Sequence, residues 1–189
     1  MLTCERYETP ETLVEALALW NSAPQGARLI AGATDVLPWA REGRAGDVDL
    51  PMLIDLSRVA ELSGYERHGG RVRLGANVVF QDFLEDEALS AWLPVRPYCS
   101  VWLADDQIRQ QATLAGNLVN ASPAADGTPP VIALGGEIEL CRLSGEQVMC
   151  HTMPVADFVT GPGRTRLAPN ELVSAVTLDI AEGYGASFQ

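Results

Sequence analysis

Thr113, Asn117, Asn120 and Ser122 put four short polar side chains into the stretch QATLAGNLVNASPAAD (residues 111–126), whose other residues are nearly all Ala, Gly, Leu and Val. Small residues let a ligand approach the backbone closely, and hydroxyl and amide groups can donate to phosphate oxygens or sugar hydroxyls. Asp126 stands just before GTPP, where it can cap a following helix. The same residues also suit an Asx-rich turn that satisfies its own backbone, and their spacing leaves both readings open. A second stretch, RLIAGATDV (residues 28–36), runs a buried strand into a glycine turn and then into a short helix with Thr34 or Asp35 as cap. Successive N–H groups at such a junction form a concave site for phosphate. The longer stretch carries no Lys or Arg, so the pair points to a pyrophosphate gripped by main-chain donors, as in a dinucleotide cofactor. No G-x-G-x-x-G follows a strand, which makes a nicotinamide-binding Rossmann domain the weaker option and flavin the stronger.

Other chemistries have little to stand on. Cys4, Cys99, Cys141 and Cys150 are scattered without a C-x-x-C pair, and neither His68 nor His151 falls at ligand spacing with them. A metal centre on this chain is therefore not expected, and His151 reads as a strand residue. There is no G-x-S-x-G elbow, P-loop lysine or H-E-x-x-H motif. The net charge of −12, from 25 acidic and 13 basic residues, disfavours nucleic acid and anionic lipid. With 47% apolar residues among 189, the chain is long enough for a proper core and holds no run of membrane-spanning length. MLTCERYETPETL lacks the basic flank and apolar stretch of a secretory signal, so a cytoplasmic location is expected.

The elements that must position the two stretches alternate along the chain. CERYE reads as a strand, and Thr9-Pro10 as a helix start, with Leu13, Leu17 and Trp20 on its apolar face. ARLIAG and PMLIDL read as buried strands. GGRVRLGAN alternates like a half-buried strand, FQDFLEDEALSAWLP and VWLADDQIRQQ have helical spacing, and PPVIALGG reads as a helix with proline first and glycines last. EIELCRL, QVMCHTMPV and ELVSAVTLDI read as antiparallel strands because the links between them are short. The expected fold is α+β, with a smaller lobe at residues 1–57 and a larger one, bearing an antiparallel sheet, at 58–189.

LIAGATDV, IDLSRVAELSG, VRLGANVVFQDF, QIRQQATLAGNLVNASPAADGTPPVIALGGEIEL and GPGRTRLAPNELVSAVTL, in that order, resemble the FAD-binding subunit of molybdenum hydroxylases. That family includes xanthine dehydrogenase and the medium subunit of carbon monoxide dehydrogenase. The resemblance implies a two-lobed flavoprotein fold of the vanillyl-alcohol-oxidase (PCMH) type, with FAD between the lobes. It implies a molybdopterin-binding large subunit and a small subunit with two [2Fe–2S] clusters as partners, and NAD or another acceptor for the electrons. It also implies that no acid or base on this chain is obligatory, since the flavin does the redox chemistry. Leu29, Ile30, Ala31, Gly32, Ala33, Thr34, Asp35 and Val36 match the family's first FAD loop. Thr113, Leu114, Ala115, Gly116 and Asn117 match the second, to which Ser122 adds a polar group. Asp126 matches a cofactor-contacting aspartate, Val173 an apolar contact, and Leu103 a position, often aromatic, near the flavin ring.

Three features depart from the pattern. Gly32-Ala33 and Ala115-Gly116 stand where many relatives have Gly-Gly, and an alanine at positive φ costs about 1 kcal/mol. The sequence stops at GYGASFQ, where relatives continue into a further domain, and Gln189 falls at or beside the position of a lysine lining the cofactor site. These departures leave a flavin-free docking scaffold of the same fold as the alternative. A free-standing flavoprotein oxidase is a weaker one, because no His or Cys is placed for covalent flavin attachment.

Overall fold

The computed structural model describes residues 2–46, 48–93, 100 and 104–180. Near the N-terminus, Tyr7–Glu8 (β2), Arg28–Ile30 (β3) and Leu53–Asp55 (β5) form a parallel sheet in the order β2-β5-β3, beside a parallel pair of Thr3–Cys4 (β1) and Asp49–Leu50 (β4). Parallel neighbours need crossovers, and the helices Leu13–Asn21 (α1) and Val36–Arg41 (α2) supply them. The expected single strand CERYE is two short ones, β1 and β2. The expected cap at Thr9 is displaced to Thr12, because only Thr12 has a glutamate three residues on to close a capping box. Thr12 Oγ1 accepts from the Glu15 N–H at 3.2 Å, and the Glu15 carboxylate accepts from the N–H groups of Glu11 and Thr12. Ala16 and Leu17, on the inner face of this helix, are fully buried.

Five antiparallel strands make the main sheet: Tyr65–His68 (β6), Arg71–Gly75 (β7), Glu137–Ser144 (β8), Gln147–Pro154 (β9) and Leu172–Asp179 (β12), in the order β6-β7-β12-β8-β9. The antiparallel expectation for the last three holds. Alternation decides the register: Leu74, Val176 and Ile138 align across three strands on the core face, and Val72 faces Leu178. On the other face, Arg73 reaches Glu139 at 2.7 Å and Arg71 reaches Glu137 at 2.5 Å. β12 bulges between Val173 and Ala175, and the buried Ser174 hydroxyl donates to Glu139 Oε1 at 2.6 Å. Burial pushes the Glu139 carboxyl up, but Ser174 and Arg73 outweigh it and hold the group below its ordinary value. Cys141 and Cys150, far from obvious partners in the sequence, face each other across the β8–β9 hairpin and form a disulfide.

The remaining elements frame the sheet. FQDFLEDEALSAWLP is two helices, Asp82–Glu85 (α3) and Glu87–Trp92 (α4), rather than one. Asp86 interrupts them in an extended conformation, its carboxylate accepting from the N–H groups of Ala88 and Leu89 and from the Tyr65 hydroxyl. Asp106–Arg109 (α5), Leu114–Asn120 (α6), Thr128–Ala133 (α7, with proline in its first turn as expected) and Val155–Phe158 (α8) come next, and Val159–Gly161 (β10) pairs with Arg164–Thr165 (β11). One apolar cluster runs from Leu17 and Ile54 through Phe80 and Leu118 to Phe158 and Val176, so the parallel strands and the large sheet share a core.

Candidate functional site: a main-chain cleft

The chain leaves the carboxyl end of β3 at Ile30, the edge where open parallel sheets place their ligands. Gly32 then packs directly on the backbone of Gln111, and a Cβ at this position would overlap the Gln111 carbonyl. Ala33 comes next in the left-handed region, at φ 53°. Among the described residues, none of the N–H groups of Gly32, Ala33, Thr34 and Asp35 donates to another backbone group. Four consecutive amides left without backbone acceptors are the donor side of an anion nest.

Neither Thr34 nor Asp35 caps α2 with its side chain. Asp35 is already in right-handed helical conformation at φ −98° and ψ −45°, so its carboxylate does not turn back to the first amides. It sits half-buried in the wall instead, and burial raises its carboxyl above the ordinary value.

The second wall differs from its expected form. Residues 112–114 pair with the chain at 78–80, through Phe80 N–H to Ala112 O and Leu114 N–H to Val78 O, both at 3.0 Å. Beyond this pairing the chain forms no loop but enters α6, capped by Thr113 Oγ1, which accepts from the Gly116 N–H at 3.0 Å. The helix divides by face: Leu114, Ala115 and Leu118 enter the core, while Thr113, Gly116, Asn117 and Asn120 face the cleft at helical spacing. Ala115 is therefore ordinary helix, and of the two glycine-pair alanines only Ala33 is strained. α6 ends at Ala121 in the left-handed region, and Asn117 Oδ1 accepts from the Gly127 N–H at 3.1 Å, tying the 122–126 turn back onto the helix. Gly127, not Asp126, precedes α7. Asp126 stays in the cleft wall.

Between these walls lies a cleft of about 570 Å³, within the range of about 300–1,000 Å³ typical of small-molecule and cofactor sites. All eight residues from Leu29 to Val36 line it, together with Thr113, Gly116, Asn117, Ser122 and Asp126. Leu114, Ala115 and Val173 are buried away from it, Val173 within β12, and Leu103 lies outside the described residues. Trp39, Arg44 and Ile108, which lie in neither stretch singled out from the sequence, also line the cleft, as does Arg28 at the start of the first. Trp39 had a legible signal, since it stands four residues after Asp35 on the same helix face; Arg44, beyond the end of α2, had none. Arg28 and Arg44 balance Asp35 and Asp126, so a chain of net charge −12 has a cleft without net negative side-chain charge.

The fold and cleft define an α+β domain shaped to hold a phosphate-bearing cofactor of dinucleotide size. Residues 3–178 match the family described as the FAD binding domain in molybdopterin dehydrogenase. The chain belongs to this family. It is 27% identical over 184 residues to the carbon monoxide dehydrogenase medium chain of Afipia carboxidovorans, an alignment covering 97% of this chain and 62% of that one. It is 30% identical over 170 residues to the xanthine dehydrogenase FAD-binding subunit of Escherichia coli O157:H7, covering 89% of this chain and 56% of that one. Among solved structures, carbon monoxide dehydrogenase from Hydrogenophaga pseudoflava matches with a TM-score of 0.87 at 27% identity, over 95% of this chain and 60% of that one. The chain thus spans between 56% and 62% of the length of these relatives. The residues present fit FAD: the amide row suits a pyrophosphate, and the glycine contact at Gly32 keeps the two walls in register around it.

Proposed function

We propose that this chain binds FAD in the cleft and serves as the electron-transfer subunit of a molybdenum hydroxylase complex. The unpaired amide row from Gly32 to Asp35 carries this reading, because a docking scaffold without flavin has no use for it. The Gly32–Asp35 amides hold the pyrophosphate, the α6 face bearing Thr113, Asn117 and Asn120 supplies further polar groups, and Asp126 accepts from a hydroxyl of the cofactor. Bound there, FAD supplies the ability to take up electrons singly and release them as a pair. The donors are [2Fe–2S] clusters on a small partner subunit, fed by a molybdopterin-binding large subunit, and the acceptor is NAD or another oxidant. In this scheme the complex works in the cytoplasm. The names of the relatives support the assembly, and the cleft supports the cofactor.

The visible spectrum of the purified chain, recorded after incubation with FAD and desalting, tests the reading. A retained flavin band is expected. A chain that stays colourless overturns the cofactor assignment.

A further inference from the structure

Trp39 is the only aromatic residue among the described lining of the cleft, and its position is fixed by backbone bonds on both sides. Its own N–H donates to Asp35 O at 3.1 Å, so it stands one helical turn, about 5.4 Å, beyond the amide row. Downstream, α2 ends in a Schellman motif. Gly43, at φ 73°, donates to Ala40 O at 3.2 Å, and the Arg44 N–H donates to Trp39 O at 3.0 Å. This closure brings the Arg44 guanidinium over the indole, 4.1 Å from its centroid. The motif usually brings two apolar side chains together at these positions, merely sealing the helix end. Here the pair is an indole and a guanidinium, and both line the cleft. Arg28 Nη2 donates to Gly46 O at 3.4 Å, tying the turn that bears Arg44 to β3.

We propose that Trp39 and Arg44 form the nucleobase platform of the cleft, stacking on the adenine of the dinucleotide and selecting FAD over FMN. The inference rests on the reading of the cleft as the FAD site and assigns one end of the cofactor within it. Distance favours adenine over the flavin ring. A single furanose separates adenine from its phosphate, about the reach of one helical turn, whereas the full ribityl chain separates the flavin ring from its own. Asp35, the last residue of the amide row, stands one turn before Trp39 in the cleft wall, where a carboxylate meets ribose hydroxyls. Aromatic and guanidinium faces are the usual stacking surfaces for bases.

The test titrates the full chain with FAD, FMN and ADP by isothermal calorimetry, in wild type, Trp39→Ala and Trp39→Phe. The platform predicts that Trp39→Ala weakens FAD and ADP about tenfold, leaves FMN unchanged, and is largely rescued by Trp39→Phe. Unaltered FAD and ADP affinity in Trp39→Ala overturns the platform while the FAD site stands. Equal loss of FMN also overturns it, because the flavin ring or the whole wall then depends on the indole. A wild-type chain that binds neither FAD nor ADP overturns the cofactor reading itself.

Discussion

Ala33 holds a left-handed turn at a cost of about 1 kcal/mol for an L-residue, and it lines the cleft with its N–H free of any backbone acceptor among the described residues. Glycine takes the same conformation without that cost. Ala33→Gly is therefore expected to raise the thermal midpoint by about 2–4 °C while FAD is retained; a lowered midpoint in a thermal melt would count against the strain. In the sequence, Ala33 and Ala115 look alike, each standing in a glycine pair. Only the backbone separates them, because Ala115 lies inside α6 and Ala33 in a turn. Residue type alone carries no record of φ.

At the level of elements, α2 begins on a carboxylate that caps nothing. Burial raises the Asp35 carboxyl, so the folded chain binds that proton more tightly than the unfolded chain. Stability therefore falls as pH rises from the ordinary carboxylate value through the raised one, and at neutral pH the charged form is a standing cost. Asp35→Asn removes the cost. Melts of the FAD-free protein across pH are expected to show the variant more stable at pH 7, with the gain vanishing in acid below the ordinary value. A gain independent of pH would assign the effect to something other than the charge. The long helix α1, the antiparallel strands and the proline-led α7 were all legible, because their periodicity or punctuation is strong. α6 was not: its small residues mask a helical division in which Leu114 and Leu118 face the core while Thr113, Asn117 and Asn120 face the cleft. The break between α3 and α4 was also hidden, since Asp86 fits the surface of a continuous helix until Tyr65 and two amides claim its carboxylate.

At the scale of the whole molecule, the cleft exists because two segments distant in sequence meet at a single glycine. The residue types of the two stretches left a ligand site and a self-satisfying turn equally open, and the contact between Gly32 and Gln111 was not legible at all, since nothing local records which backbone will lie against which. The roles of Arg28 and Arg44 were hidden for the same reason: they depend on tertiary placement within an acidic chain. Among the described residues no helix is long and apolar enough to cross a membrane. In the proposed FAD site, the amide row and the opposing α6 wall grip the cofactor only when Gly32 lets them meet. The most direct measurement is the FAD affinity of Gly32→Ala beside wild type, with far-ultraviolet circular dichroism confirming that the main sheet persists. The added Cβ must push the Gln111 backbone away, so wild type is predicted to bind FAD and the variant to release it on desalting. A variant that keeps its sheet and binds FAD as tightly as wild type would show that the Gly32 contact does not hold the cofactor site together.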